Sequence, residues 1–192
     1  MDVIRPLAEI TLADIDQVGA KAAYLGAMLR AGFPVPAGFV IGVEAFVDHF
    51  GATTEVLVKP PPPRLQAEFM TSNVAAITEH LGNEAEFAVR SSSTSEDTLE
   101  ASLAGQHATY YFITPSRIDQ AIVDCWMSLW SDAAIAYRRS NVHEIAFGEP
   151  VRMAIIVQKM VPAIRSGVAF SRDPIRPDNT DCVIEATWGL GA

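Results

Sequence analysis

The stretch FAVRSSSTSEDTLEASLAGQHATYYFI, residues 87–113, decides the fold because two β-rich runs flank a long polar loop. Residues 86–91 and the run ATYYFI have the apolar and aromatic composition of strands, so the loop is predicted to join two antiparallel strands. The loop is rich in hydroxyl side chains: Ser91, Ser92, Ser93, Thr94, Ser95, Thr98 and Ser102. Loops of this length are usually either functional or disordered, and composition alone leaves both interpretations open.

Arg90 stands at the end of the first predicted strand, where a rigid scaffold can aim its planar guanidinium at a phosphate. Backbone N–H groups in loops of small residues can form anion-binding concavities. Against this, Glu96, Asp97 and Glu100 would repel a phosphate unless they face solvent or a metal. The loop is therefore either a surface linker or a cover for an anionic ligand.

The patterns outside this stretch predict an α+β fold class. Helices are predicted over residues 20–31, 43–50 and 65–81 and from Ser116, where Asp119 suggests a capping box, through Trp130. Strands are predicted for GFVIG (38–42), MAIIVQKMV (153–161), SGVAFS (166–171) and CVIEA (182–186). The run KPPPPR, residues 59–64, is predicted to be an extended spacer because consecutive prolines favour polyproline II.

Composition excludes several classes of protein. With 192 residues and 49% hydrophobic content, the chain can build one sizeable core or two small lobes. Its net charge of −9, and the absence of a basic cluster longer than Arg138-Arg139, argue against nucleic acid or an anionic membrane as partner. No run has the length of a signal peptide core or a membrane span, so we expect a soluble, cytoplasmic protein.

Metal and nucleotide fingerprints are absent from the sequence. Cys125 and Cys182 form neither a disulfide framework nor a zinc spacing, and both are predicted to be buried thiols. The four histidines have no ligand-spaced partner, so we expect no transition-metal site. Neither G-x-x-x-x-G-K-[ST] nor an internal G-x-G-x-x-G occurs. Nucleotide binding would require another geometry.

Two further polar residues are candidates for a site. Lys21 follows Gly19-Ala20 at a predicted helix start, where N–H groups and the helix dipole favour an anion, although a lone lysine there is ordinarily solvated. Gln158 interrupts an apolar strand. It is either a core amide with satisfied hydrogen bonds, an edge residue or a ligand contact.

Six segments, in this order, resemble one known family: VGAKAAYLGAMLRAGFPVPAGF, AVRSSSTSEDTLEASLAGQHATY, CWMSLWSDAAIAYR, VQKMV, SGVAFSRDP and EATWGLG. They resemble the amino-terminal ATP-binding domain of the phosphoenolpyruvate synthase, pyruvate phosphate dikinase and rifampicin phosphotransferase family, over about residues 18–191. The resemblance implies one domain over residues 1–192 with a proline linker near 59–64. Its fold would be an ATP-grasp-like first lobe with a partial second lobe.

The resemblance also implies roles for individual residues. Lys21 resembles the lysine that reaches the ATP phosphates, and Arg90 the arginine that bridges them, so both are expected to bind ATP and to serve catalysis. Gly105 and Thr109 resemble residues of the phosphate-covering loop and of the strand that follows it. On this basis the opening loop is expected to cover the phosphates.

Adenine binding is implied at the other end of the site. Gln158 falls on the family's hinge strand beside the adenine, and Met160 and Val161 are expected to line an apolar slot for the ring. ATP is the expected cofactor. Mg²⁺ is also expected, with its protein ligands outside this chain.

The activity implied is phosphoryl transfer from ATP to a carrier histidine, and from there to pyruvate or an antibiotic hydroxyl. We expect turnover to need a chain carrying the phosphohistidine and acceptor domains, and the isolated chain to be inactive. The family's usual Gly-Gly-Lys reads Gly19-Ala20-Lys21 here, which predicts an altered backbone at Lys21. Two alternatives remain: a non-catalytic nucleotide-binding or regulatory module, and a chain that dimerises through exposed surfaces.

Overall fold

The computed structural model describes residues 3–51, 67–82, 85–93, 108–140, 152–176 and 178–191. Its helices are α1 (Ile15–Arg30), α2 (Val43–Phe50), α3 (Ala67–Leu81), α4 (Ile118–Met127) and α5 (Asp132–Ser140). Its strands are β1 (Ile4–Pro6), β2 (Gly38–Ile41), β3 (Phe87–Ser93), β4 (Thr109–Ile113), β5 (Met153–Lys159), β6 (Arg165–Phe170) and β7 (Val183–Trp188). Short 3₁₀ turns lie at Leu7–Glu9, Leu12–Asp14, Pro115–Arg117 and Ser128–Trp130. The predicted α+β class is confirmed.

The chain divides into two compact units, Met1–Met160 and Val161–Ala192. The first unit contains an antiparallel sheet in the order β1-β2-β5-β3-β4. β5 is central because its residues Met153–Val157 are all apolar and fully buried, as expected for a strand covered on both faces. β3 and β4 pair directly, which confirms the predicted antiparallel pair around the polar loop.

Helices cover both faces of the sheet in the first unit. On one face, α2 and α4 pack on alternate residues of β5 and β3, including Met153, Ile155 and Val89, and α3 contacts β2 and α4. On the other face, α1 packs through Val18, Ala22 and Ala23 on the residues between them. This second face is called the α1 face below. Alternation along β5 and β3 therefore directs successive side chains to one helix layer or the other.

The predicted amphipathic helix at α4 is confirmed, but its predicted capping box is wrong. Its apolar stripe is buried, from Ile118 to Trp130. Ser116, however, lies in a 3₁₀ turn, and Arg117 occupies the N-cap position without a side-chain hydrogen bond. Asp119 instead accepts a hydrogen bond from the N–H of Gln120. Pro115, which favours a first helical turn, begins the element before the predicted cap can form.

The second unit is built on an antiparallel pair, β6 and β7. Both predicted strands are confirmed. The guanidinium of Arg165 lies 4.4 Å from the ring centroid of Trp188, directly across the pair. Cys125 is buried as predicted, but Cys182, just before β7, is exposed, so its predicted burial is wrong. A β-rich sequence predicts a strand, and burial depends on what packs over it.

Some predictions lie outside the described residues, namely the proline spacer 59–64, the loop 94–107 and Gly105. Within the part of the chain that the structure describes, no helix is long and apolar enough to cross a membrane.

His49 is a buried titratable residue in the aromatic layer between α2 and α4. It is 2% exposed, and its ring lies 4.2 Å from that of Phe50 and 5.3 Å from that of Trp126, between centroids. Among the described residues, neither ring nitrogen has a hydrogen-bond partner. Burial therefore lowers the pKa of His49 below its ordinary 6.5, because the imidazolium would lose its hydration.

This burial predicts a loss of stability in mild acid. The unfolded chain binds a proton at His49 near pH 6.5, whereas the folded chain binds it only at lower pH. Stability should therefore be unaffected by His49 above pH 6.5 and fall as the pH decreases from 6.5 toward the folded pKa. Urea unfolding at about pH 7.5, 6.5 and 5.5 measures the slope.

The matched variants are His49→Leu, which should lose this component of the slope, and His80→Leu, which should keep it. His80 is exposed on α3 and its Nδ1 lies 2.9 Å from the carbonyl of Ala76. An unchanged slope in His49→Leu would contradict the assignment.

Candidate functional site

The backbone just before Lys21 contains a kink in α1, at Gly19. Gly19 has φ 74° and ψ 161°, a conformation open essentially only to glycine, so a second helical segment begins at Ala20. A Cβ on Gly19 would lie 2.5 Å from Ser92 Oγ and closer still to the Ser92 carbonyl. The missing side chain therefore lets the start of this segment pack directly on β3.

Two hydrogen bonds join this helix start to β3. The N–H of Ala22 donates to Ser92 Oγ at 3.1 Å, so a serine from another element satisfies an N–H in the first turn as an N-cap would. The Nζ of Lys21 donates to the carbonyl of Ser91 at 2.9 Å. The ammonium group is therefore held at the backbone of the residue that follows Arg90.

Ala20 does not itself adopt a positive φ, and an alteration of the backbone at Lys21 relative to the family stays a prediction. Gly19 adopts the positive φ, and Ala20 is not among the described residues with positive φ. Ala20 is instead 4% exposed, inside the helix–sheet contact. Alanine is compatible with a helical position, and the turn before Lys21 needs only one glycine.

Arg90 and Thr109 lie on the α1 face of the sheet. Arg90 pairs with Ile156 of β5, which packs under α1, and with Thr109 of β4 on its other side. Directly opposed residues in an antiparallel pair point to the same face. The sheet thus places Thr109, Arg90 and Ile156 in one row, with Lys21 reaching β3 from the helix above.

Gln158 is held beside Arg90 on the same face. Its Oε1 accepts a hydrogen bond from Arg90 Nη1 at 3.2 Å, and its Nε2 donates to the carbonyl of Pro36 at 2.9 Å. The residue is 5% exposed. Gln158 is therefore a buried amide with a hydrogen-bond partner at each end, and its role as an ATP contact stays a prediction.

The end of β5 is held by backbone hydrogen bonds from both sides. The N–H of Lys159 donates to the carbonyl of Ala37, and the N–H of Met160 donates to that of Glu86, each at 2.8 Å. Met160 is the last residue of the first unit. Val161 is the first residue of the second unit and is 51% exposed. Their role in an adenine slot remains a prediction.

The local charge differs from that of the whole chain. The chain carries a net charge of −9, yet the α1 face holds a lysine and an arginine on neighbouring structural elements. Such a pair, with a hydroxyl nearby, can bind a phosphate or another anion. In the described residues no group of three or more His, Cys, Asp or Glu is placed to hold a metal ion.

Sequence reasoning missed three contributors to this arrangement. The sequence places Gly19 two residues before Lys21, but it does not show the close approach of Gly19 to Ser92. The capping hydroxyl of Ser92 and the carbonyl of Pro36 could not be found, because they bond to residues 70 and 122 positions away.

The fold and the site define a class of protein: a domain of mixed helix and sheet consistent with nucleotide binding. The family description "Pyruvate phosphate dikinase, AMP/ATP-binding domain" matches residues 52–192. The chain belongs to this family, and the resemblance noted in the sequence is confirmed.

Relatives of the chain are whole enzymes. It is 36% identical to the phosphoenolpyruvate synthase of Aeropyrum pernix, over 96% of this chain and 26% of that protein. It is 35% identical to the rifampicin phosphotransferase of Streptomyces sviceus, over 96% and 24%. It is 31% identical to a prodigiosin synthesizing transferase of Serratia marcescens, over 91% and 20%. The chain thus spans about a quarter of the length of these relatives.

Proposed function

We propose that this chain binds ATP with the phosphates on the α1 face, held by Lys21 and Arg90. The observation that carries the proposal is the joint placement of the two cations, with Lys21 bonded to the carbonyl of Ser91, next to Arg90 on β3. A lysine and an arginine suit a polyphosphate because each donates charge-assisted hydrogen bonds to its oxygens. Family membership in an AMP/ATP-binding domain supports ATP as the ligand.

The other site residues that we propose from the resemblance are Thr109, Gly105, Met160 and Val161. Thr109 lies opposite Arg90 and would add a hydroxyl donor. Gly105, before β4, would belong to the loop over the phosphates. Met160 and Val161, after β5, would line the adenine. The finer architecture proposed is ATP-grasp-like, one domain over residues 1–192 with the proline linker near 59–64.

The proposed reaction is the one that the family resemblance implies: a phosphoryl group passes from ATP to a carrier histidine and then to an acceptor such as pyruvate or an antibiotic hydroxyl. Phosphoryl transfer of this kind depends on positioning and charge neutralisation, which Lys21 and Arg90 would supply. The described residues do not offer a set of carboxylates that fits Mg²⁺. We propose that its ligands, the carrier histidine and the acceptor site lie on other domains.

The test is calorimetry of ATP binding to the chain, with and without Mg²⁺. Lys21→Ala and Arg90→Ala should each weaken ATP binding by about 1.5–3 kcal/mol, roughly ten- to a hundredfold, because each removes charge-assisted hydrogen bonds to phosphate. The matched control is Arg117→Ala, an exposed arginine before α4, which packs on the opposite face of the sheet.

Arg117→Ala should bind ATP as the wild type does. Wild-type affinity in both site variants would show that the phosphates bind elsewhere. ATP binding without phosphoryl transfer, even with a relative's remaining domains supplied, would favour the alternative of a non-catalytic nucleotide-binding or regulatory module.

A further inference from the structure

Gln158 occupies an unusual place in the sheet. It is the last buried residue of the most apolar strand, β5, and its partners on the two sides are Gly38 of β2 and Ala88 of β3. Both neighbours are small, so the row across the sheet has room for one long side chain. The amide lies among buried residues and must find its hydrogen bonds there.

The two ends of the amide face chemically opposite partners. A guanidinium can only donate, and Arg90 Nη1 donates to Gln158 Oε1 at 3.2 Å. A backbone carbonyl can only accept, and the Pro36 carbonyl receives Gln158 Nε2 at 2.9 Å. Rotating the amide by half a turn would place N–H against N–H and oxygen against oxygen. The orientation of the side chain is therefore determined by its partners.

Pro36, whose carbonyl accepts the hydrogen bond from Gln158, lies in a rigid segment. Pro36 belongs to the segment between α1 and β2, where Pro34 and Pro36 each have a φ fixed by the ring. The neighbouring carbonyl, of Ala37, accepts from the N–H of Lys159 at 2.8 Å. Gln158 thus links the guanidinium of Arg90, through two hydrogen bonds, to a segment with a stiff backbone.

A neutral amide orients Arg90 without cancelling its charge. A carboxylate in the same place would also accept from Arg90, but it would compete with phosphate oxygens for the guanidinium. The ion pairs described, Arg5–Asp14 and Arg176–Asp173, do not involve Arg90. The hydrogen bond uses Nη1, and a guanidinium has four further N–H groups with which to contact a ligand.

We propose that Gln158 is a positioning residue, which orients Arg90 toward the phosphates of the nucleotide through a neutral hydrogen bond. Its side chain does not itself contact the adenine. This inference rests on the proposed function of Arg90. It replaces the adenine contact that the resemblance implied for this side chain.

The test compares ATP with adenosine, which lacks phosphates, on the full chain. Gln158→Met keeps the volume and removes both hydrogen bonds, and it should weaken ATP binding about tenfold while leaving adenosine binding unchanged. Gln158→Glu should weaken ATP binding at least as much, because its charge pairs with Arg90 and its oxygen faces the Pro36 carbonyl. Circular dichroism and thermal unfolding check that both variants are folded.

A double-mutant cycle with Arg90→Ala separates positioning from packing. If Gln158 acts through Arg90, then Gln158→Met should have no further effect on ATP affinity once Arg90 is alanine. Competition against a fluorescent ATP analogue extends the measurement to weak binders. Equal losses for adenosine and ATP, or a Gln158→Met effect that persists in the Arg90→Ala background, would overturn the inference.

Different results would refute the proposed ATP site and the positioning role of Gln158. If Arg90→Ala binds ATP like the wild type, or the wild type binds none, the proposed site is wrong and the role of Gln158 falls with it. If ATP binding depends on Arg90 but is unchanged in Gln158→Met, the site stands and only the positioning role is refuted.

Discussion

Replacing Gly19 with alanine is expected to abolish ATP binding and to lower the free energy of unfolding by about 3–5 kcal/mol. Two costs combine. The backbone at Gly19, with φ 74° and ψ 161°, lies in a region that side-chain-bearing residues avoid. The added Cβ would also lie 2.5 Å from Ser92 Oγ and even closer to the carbonyl of the same residue.

The expected loss of binding follows from what must move to relieve the clash. The start of the second segment of α1 would have to separate from β3, which breaks the bond from the N–H of Ala22 to Ser92 Oγ. Lys21 Nζ would then leave the carbonyl of Ser91 and its place near Arg90. Urea unfolding measures the stability of Gly19→Ala, and calorimetry measures its affinity for ATP.

Gly32→Ala is the control for a glycine that has a positive φ but no steric clash. Gly32 has φ +83°, similar to that of Gly19, but a Cβ there would meet nothing within 4 Å. We expect a loss of about 1 kcal/mol and normal ATP binding. If Gly19→Ala behaved like Gly32→Ala in both measurements, close packing against Ser92 would not be what positions Lys21.

The elements that the sequence predicted best are those set by local patterns. The apolar run of β5, the stripe of α4 and the β-rich runs on either side of the polar loop each carry their own signal, and each is confirmed. The α1 pattern was also sufficient, because Gly32 ends it with a positive φ. Hydrophobic periodicity encodes these features within a few residues.

Local reasoning failed where the outcome depends on distant partners. Ser116 does not cap α4, because Pro115 begins a 3₁₀ turn that already contains Ser116. Cys182 was predicted to be buried from its β-rich neighbours, but burial is decided by what covers β7. The sequence around His49 does not show that Trp126 of α4 packs against its ring.

The candidate site shows the same difference between what local sequence patterns predict and what depends on distant partners. The residue types of Lys21, Arg90 and Gln158 identify them as candidate site residues, and the resemblance to a family implies their roles. Their juxtaposition depends on sheet register, which brings β5 between β2 and β3 across large sequence separations. Register follows from pairing of the whole sheet, so no short window of sequence contains it. The roles themselves stay predictions until binding is measured.

Replacing Trp126 with alanine is expected to destabilise the first unit by about 3–5 kcal/mol, because a large buried aromatic leaves a cavity that the core can only partly fill. Trp126 is 0% exposed and makes ring contacts with Phe46 at 6.1 Å and with Phe50 at 6.0 Å between centroids. Its Nε1 also donates to the carbonyl of Met153 at 3.0 Å, which joins α4 to the first residue of the central strand.

Trp126→Phe separates the two contributions, since it keeps an aromatic ring and removes the hydrogen bond. It should cost about 1–3 kcal/mol, the price of leaving the buried Met153 carbonyl unsatisfied. Trp188→Ala, at a residue 72% exposed whose ring contacts the Arg165 guanidinium, should change stability by no more than about 1 kcal/mol. Urea unfolding followed by far-ultraviolet circular dichroism measures all three variants. Equal losses for Trp126→Ala and Trp126→Phe would mean that the hydrogen bond to β5, and not the filling of the aromatic layer, is what Trp126 contributes.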